Sequence, residues 1–411
     1  MRQKQTGAAV LFVVSALLLV VLIMVLGSYK SLYFQIKRAN NHIEARQVHW
    51  LAEGGLECGW AQFKVQRSVP LNITDCDTGF GVFPTFIASS YGYRVSSSAG
   101  YKSLHKAILL SGSLDFGAMQ SSADIYFNSS ATFSTPDPGL LGTDGWECIA
   151  LRYKNRFYSA VSDNKGIIHG EPPYTNFTNP TNQDCANTSA NNHMTSVLSG
   201  VGGGKDFLKD SDVTPFESYF GVKSEKHNEV RDNGVFNIIS AAGAQCGIAL
   251  IDAIQAGHHH LWVEGHCEIK ITDYNNLVDA TQSTDGVTVL VHDGLFSIMG
   301  APSSGASDNK FKGVLFHFNY DYTPTPADWS GFDANNHLHH SSSVVEASYR
   351  TIASYYQHGS FTVSGGQYFD STDQAAVFFD SLDFRYNKDI IDNSRSALIT
   401  PRWQRGSWHD L

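Results

Sequence analysis

Residues 8–26 read AAVLFVVSALLLVVLIMVL, nineteen residues with no charged side chain and one serine, preceded by MRQKQTG. As a helix rising 1.5 Å per residue, this run spans roughly 28 Å, the thickness of a bilayer's hydrocarbon core. A cleaved secretory signal has a shorter apolar region ending on small residues, whereas this one continues into Gly27, Ser28, Tyr29, Lys30 and Ser31. A signal anchor fits the length, with Arg2 and Lys4 keeping the N-terminus in the cytoplasm. Beyond the run, Leu32, Tyr33, Ile36, Ala39, Ile43, Val48, Leu51 and Ala52 recur mostly at three- and four-residue steps, and no proline intervenes before Pro70. The pattern predicts one helix over about residues 8–63, roughly 84 Å long, wholly apolar in its first third and amphipathic after it. An ordinary anchor has no need of an amphipathic continuation.

A subunit that is stored in a membrane and then packs its helix into a filament needs both halves. The short basic leader ending in Gly7, the apolar start at Ala8 and the continuous helix resemble the type IV prepilins. The nearest resemblance is to the PilX-type minor pilins, through Gln5-Thr6-Gly7-Ala8-Ala9-Val10-Leu11 and the small-residue stretch Ala52-Glu53-Gly54-Gly55-Leu56-Glu57. It covers about the first 65 residues. It implies cleavage after Gly7 by a prepilin peptidase, methylation of the new N-terminal Ala8, an inner-membrane single-pass precursor, and assembly with other minor and major pilins. Most pilins carry a glutamate at the fifth mature position, which here is Phe12. In that family the carboxylate pairs with a neighbouring subunit's N-terminal amine, and an unpaired charge there costs several kcal/mol. Its loss suits a subunit with no such neighbour, as in the similar general-secretion K pseudopilins at filament tips.

The chain has 411 residues, 29 Lys+Arg against 39 Asp+Glu, a net charge of −10, 42% hydrophobic and 17% charged residues. That composition excludes wholesale disorder and a coiled-coil rod, and the acidic balance argues against a nucleic-acid partner. Residues after about 27 are expected in the periplasm and then outside the cell. Cys58, Cys76, Cys148, Cys185, Cys246 and Cys267 are even in number, widely spaced, and free of any C-x-x-C pair. Fifteen connectivities are open; the nearest-neighbour set is Cys58–Cys76, Cys148–Cys185 and Cys246–Cys267.

Beyond Pro70 the chain turns to Gly, Ser, Asn, Asp and Thr with many Phe and Tyr. Short runs such as Ala123-Asp124-Ile125-Tyr126-Phe127, Leu261-Trp262-Val263-Glu264, Val287-Thr288-Val289-Leu290-Val291, Val314-Leu315-Phe316-His317-Phe318 and Ala376-Val377-Phe378-Phe379 read as strands. Val263, Val291 and Phe316 fall 28 and 25 residues apart, a loose step that suggests rungs of a β-solenoid. The expected fold class is α+β: a long N-terminal helix and a mainly β domain, a right-handed parallel β-helix or, alternatively, a sandwich of short strands. The expected segments are a leader 1–7, the helix 8–66 with 8–26 in the membrane, a mixed β-rich region 67–235, a solenoid-like region 236–390 and a tail 391–411. Gln183 to Lys205 reads as a surface excursion, Thr214-Pro215-Phe216-Glu217 as a capping box, and Ser224-Glu225-Lys226-His227 as a second helix start. The PFESYFGV stretch of residues 215–222 resembles a segment of large PilX-like proteins.

Several constellations point to no chemistry. Gly200 to Asp206 lacks the first glycine and the Mg²⁺-binding hydroxyl of a phosphate loop. His258-His259-His260 and His337-x-His339-His340 alternate faces on a strand, so no three converge on a metal; Asp210-Ser211-Asp212 has Pro215 where a calcium loop needs glycine. No Gly-x-Ser-x-Gly or His-Glu-x-x-His occurs, so no enzyme activity, cofactor or metal is expected. The tail carries Trp403, Arg405 and Trp408, either a docking peptide for a partner or a strap over the end of the β domain.

The expected function is a minor pilin or pseudopilin that primes filament assembly and presents its large domain at the tip, where it meets a surface glycan or host receptor. Residues 67–411 imply a radius of gyration near 20 Å, too bulky to repeat along a tight helical shaft. The alternative is a membrane-anchored surface β-helix protein that binds glycans outside any filament.

Overall fold

A computed structural model describes residues 6–66, 69–70, 73, 76, 81–89, 92–110, 117–134, 141–143, 145–146, 149–164, 179, 182–183, 193–197, 207–240, 243, 245–300, 310–359, 361–380, 382–385, 387–398, 401–404 and 406–410. The fold is α+β, a long N-terminal helix followed by a β-rich part with both parallel and antiparallel pairing. The chain divides into two compact units, residues 1–108 with 403–411, and residues 109–402.

The first unit is built on α1 (Thr6–Gln66), 61 residues without a break and thus about 92 Å long. The antiparallel strands β1 (Thr85–Ser89), β2 (Gly92–Ala99) and β3 (Lys102–Leu110) form its sheet. Ala52, Leu56 and Phe63 are the buried helix residues, at steps that place them on one face with Gly55 and Gly59. The two glycines explain how close that face comes. A Cβ on Gly59 would lie 2.7 Å from Pro84 Cβ, and one on Gly55 would overlap Ser97 Oγ and lie 2.9 Å from Val82. Cys58 is disulfide-bonded to Cys76, tying the helix to the chain that leads into the sheet.

The second unit contains two large sheets, whose strands alternate along the chain. The first sheet takes β4 (Met119–Ser121) and the second β5 (Asp124–Ser134). A small hairpin follows, β6 (Leu141–Gly142) with β7 (Gly145–Trp146), then β8 (Leu151–Tyr153) in the first sheet and β9 (Phe157–Asn164) with its antiparallel partner β10 (His193–Val197) in the second. The first sheet's end strand β11 (Phe207–Lys209) pairs with β8. After α2 (Pro215–Phe220) and α3 (His227–Arg231), the chain re-enters that sheet at its opposite end as β12 (Asn237–Ser240).

It then works back inward: α4 (Cys246–Gln255), β13 (His260–Glu264), β14 (Cys267–Ile269), α5 (Ile271–Gln282), β15 (Val287–His292), β16 (Phe296–Met299) and β17 (Gly313–Phe318). A long excursion carries the short helices α6 (Asn335–Leu338) and α7 (Ala347–Arg350) before β18 (Ala353–His358), β19 (Gln367–Asp370), β20 (Ala375–Phe379) and β21 (Leu382–Arg385). The odd-numbered members β13, β15, β17 and β19 lie in the first sheet, and β14, β16, β18 and β20 in the second, each parallel to its neighbours. The winding closes where β19 pairs with β4 and β20 with β5. Strands from residues 67–235 and from 236–390 therefore share the same sheets. The chain ends with α8 (Lys388–Ser396), β22 (Pro401–Trp403) and β23 (His409–Asp410); β22 and β23 join the sheet of β3.

The two large sheets meet across aromatic rings: His317 and Phe369 from one, and Phe296, Tyr355 and Phe378 from the other, with centroids 4.7–6.0 Å apart. Their outer faces are also covered. Phe216, Tyr219 and Phe220 of α2 pack on Phe316, and Trp329, Phe332, Leu338 and Tyr349 of the excursion form a second core with Tyr126, Tyr356 and Val377. Burial on both faces is why these strands read as continuous apolar runs. The register refines the spacing seen in sequence. Val263 stands opposite Val291, but Val291 stands opposite His317, so Phe316 is one residue out of that column.

Candidate functional site

The N-terminal helix is the feature with an evident physical role. From Ala8 to Leu26 its side chains are exposed, Phe12 at 74%, and α1 is long and apolar enough to cross a membrane. Such a helix serves as a membrane anchor or as a signal sequence. Gly7 lies in the first described turn; the basic residues before it are outside the described residues. The Phe12 carbonyl accepts a side-chain hydrogen bond from Ser15 Oγ at 2.9 Å. The exposed apolar side chains continue past residue 26 as Leu32, Tyr33, Phe34, Ile36 and Ile43, and the helix becomes buried only near Ala52.

Trp403 and Trp408, near the C-terminus, lie against this helix. Trp403 stacks on Trp60 with centroids 4.6 Å apart, and Trp408 lies 6.4 Å from His49 while remaining 38% exposed. Lys106 links the two rings, its Nζ 4.2 Å from the centre of Trp403 and 5.3 Å from that of Trp408, and also sits 3.8 Å from Glu57. Backbone pairing fixes the segment: β23 runs antiparallel to β3, Gln404 N–H donates to Ala107 O, and Ala107 N–H donates to Ser407 Oγ. Arg405 is outside the described residues. The two candidate docking tryptophans are thus already engaged within their own unit, and Trp60 and Lys106 are partners that sequence inspection passed over. The i, i+4 relation of Leu56 and Trp60 on one helix could have hinted at Trp60, whereas Lys106 on β3 carries no such signal.

Of the cysteine pairs, Cys58–Cys76 and Cys246–Cys267 are disulfides with Cα atoms 5.6 and 5.1 Å apart. Cys148 and Cys185 lie outside the described residues, as do 198–206 with the glycine-rich loop. The expected capping box at Thr214 does not form. Its side chain makes no cap bond, and the Phe216 N–H instead donates to Asp370 Oδ2 at 2.9 Å, a carboxylate supplied by β19. Ser224 does begin a 3₁₀ turn leading into α3. The PFESYF residues form α2, closed by Gly221 in the left-handed region at φ 69°.

The histidine runs disperse. His260 Nε2–H donates to Ser394 O at 2.8 Å, and burial holds its pKa below the ordinary value. His337 packs its ring 4.5 Å from that of His358, whose Nε2 is 3.1 Å from Asp380; burial lowers the pKa of His358 despite that carboxylate. Among the described residues no three His, Cys, Asp or Glu side chains are grouped to hold a metal ion. Two buried groups have no counterpart in sequence reasoning. His317, between the sheets, donates Nε2–H to Gly294 O at 2.9 Å and is pushed down to about 4 by burial. Glu268, 0% exposed beneath the excursion, accepts from Ser297 Oγ at 3.1 Å and from Ala334 N–H at 3.3 Å, and burial raises its pKa.

No family model, no curated protein and no solved structure matches this chain. The functional reading therefore rests on the helix and on the chemistry around it.

Proposed function

We propose that this chain is a minor pilin or pseudopilin of a Gram-negative type IV filament system, held in the inner membrane before cleavage after Gly7 and N-methylation of Ala8. The observation that carries this reading is α1. It continues unbroken from an exposed membrane-grade segment into a stretch that closes on its own antiparallel sheet through Ala52, Gly55, Leu56, Gly59 and Phe63. A simple anchor needs no rigid link between its membrane span and its folded part, whereas a subunit drawn from the bilayer into a helical bundle does. Phe12 in place of an acidic residue supports a position without a neighbouring N-terminus to neutralise, at the filament tip.

In this reading the mature chain becomes extracellular as part of the pilus, with other minor and major pilins and the prepilin peptidase as partners. The large second unit is the part presented to the surroundings, for adhesion to a surface glycan or host receptor. We read its alternating parallel strands as coils of a parallel β-helix, which gives a stiff display platform. Mass spectrometry of the mature N-terminus tests the proposal. Methylated Ala8 is expected from wild-type cells, and an unprocessed chain from Gly7→Asp or peptidase-deficient cells. An N-terminus elsewhere, or immunogold label along the whole shaft rather than at its end, would remove the pilin or the tip assignment respectively.

A further inference from the structure

A concave site lies apart from the helix, between α4 and α5. The two helices run side by side in the same direction, each leading into a parallel strand. They touch at their N-terminal ends, where a Cβ on Gly247 would lie 2.7 Å from Asp273 Oδ2. The Cys246–Cys267 disulfide pins that end of α4 to β14. Beside their C-terminal halves lies a groove of about 620 Å³. That is within the roughly 300–1,000 Å³ of small-molecule clefts.

The floor is apolar, made by Ile251, Ile254 and Ala280, and the walls carry the side chains of Gln255, Asn276 and Ser283. Among the described residues none of these three polar side chains has a hydrogen-bond partner, so their donors and acceptors face the groove or water. Gly257, His259, Asp279 and Thr284 also line it, and among the described lining residues there is no lysine or arginine. Both helices end here, and helix C-termini carry partial negative charge. The helix ends therefore disfavour an anion. Amides and hydroxyls that each donate and accept match a ligand whose own groups do the same, and the apolar floor matches the C–H face of a sugar ring.

We infer that the α4–α5 groove binds a neutral saccharide and discriminates against acidic ones. This does not depend on the filament reading; it would hold equally for a surface protein outside any pilus. The test is saturation-transfer NMR and calorimetry on the full chain in a zwitterionic detergent without a sugar headgroup. The probes are glucose, galactose, N-acetylglucosamine, lactose and sialylated lactose. At least one neutral sugar should bind, with Asn276→Ala and Gln255→Ala each weakening it about tenfold and Ala280→Trp abolishing it by filling the groove. Asn336→Ala, on α6, should leave binding unchanged. The inference fails if no neutral sugar binds, if the sialylated form binds as tightly as its neutral parent, or if groove variants with wild-type melting curves bind as wild type.

Discussion

Two buried ionisable residues in the second unit make opposite demands on pH. Glu268 has a folded pKa above the ordinary glutamate value because its carboxylate is desolvated under Ala334, and the backbone and serine donors around it offset that burial only in part. The folded state thus favours its protonated form, and its contribution to stability is lost as pH rises through the folded pKa. Glu268→Gln should raise the melting temperature at pH 7, by an amount equivalent to about 1–3 kcal/mol, and have little effect at pH 4. Equal shifts at both pH values would contradict this. His317 behaves in the other sense. Its folded pKa of about 4 lies below the unfolded value near 6.5, so the unfolded chain takes up the proton first and stability falls as pH drops through that window. Denaturant midpoints measured from pH 7 to 4 should fall less steeply in His317→Gln than in wild type.

At the scale of elements, the end of α1 is held by close packing, a covalent bond and the tail. Gly59→Ala would place a methyl 2.7 Å from Pro84 Cβ and should cost roughly 1–3 kcal/mol, while Gly54→Ala, with open space around it, should be neutral or stabilising. Equal effects would mean that the helix does not close on the sheet at this face. Cys58→Ser with Cys76→Ser opens an 18-residue separation and should cost about 3 kcal/mol. Trp403→Ala removes both the stack on Trp60 and the cation–π contact of Lys106, together about 1–3 kcal/mol. Its signature should be faster hydrogen exchange at residues 104–107, where the tail bonds to β3.

At the scale of the whole molecule, the order of strands differs from their order in the sheets. β13 pairs with β15 and β15 with β17 at steps of 28 and 26 residues, whereas the closing pairs join Met119 to Gln367 and Asp124 to Ala375. Closing that loop costs about 2 kcal/mol more chain entropy than adding one of the shorter steps. Pulse-labelled refolding should therefore protect β15 and β17 before β4 and β19, with the opposite order excluding a late seam.

Much of the helix was legible in residues 8–63, because an apolar run and a 3.6-residue stripe are local signals that no tertiary contact has to supply. The α+β class and the individual strands were legible for the same reason, and the Cys58–Cys76 and Cys246–Cys267 pairs lay within the nearest-neighbour set. The capping of α2 by Asp370, the stacking of Trp403 on Trp60 and the burial of Glu268 were not, since each joins residues 66 or more positions apart. Nor could spacing reveal that the chain starts inside its first sheet at β4, runs outward to β11, re-enters at the opposite edge as β12 and works inward until β19 meets β4. By itself the sequence determined a membrane-length helix, an even set of six widely spaced cysteines and a set of strands, all set by local periodicity and composition. Only the tertiary structure decided strand order, the strapped tail and the α4–α5 groove, because those depend on which distant surfaces bury one another.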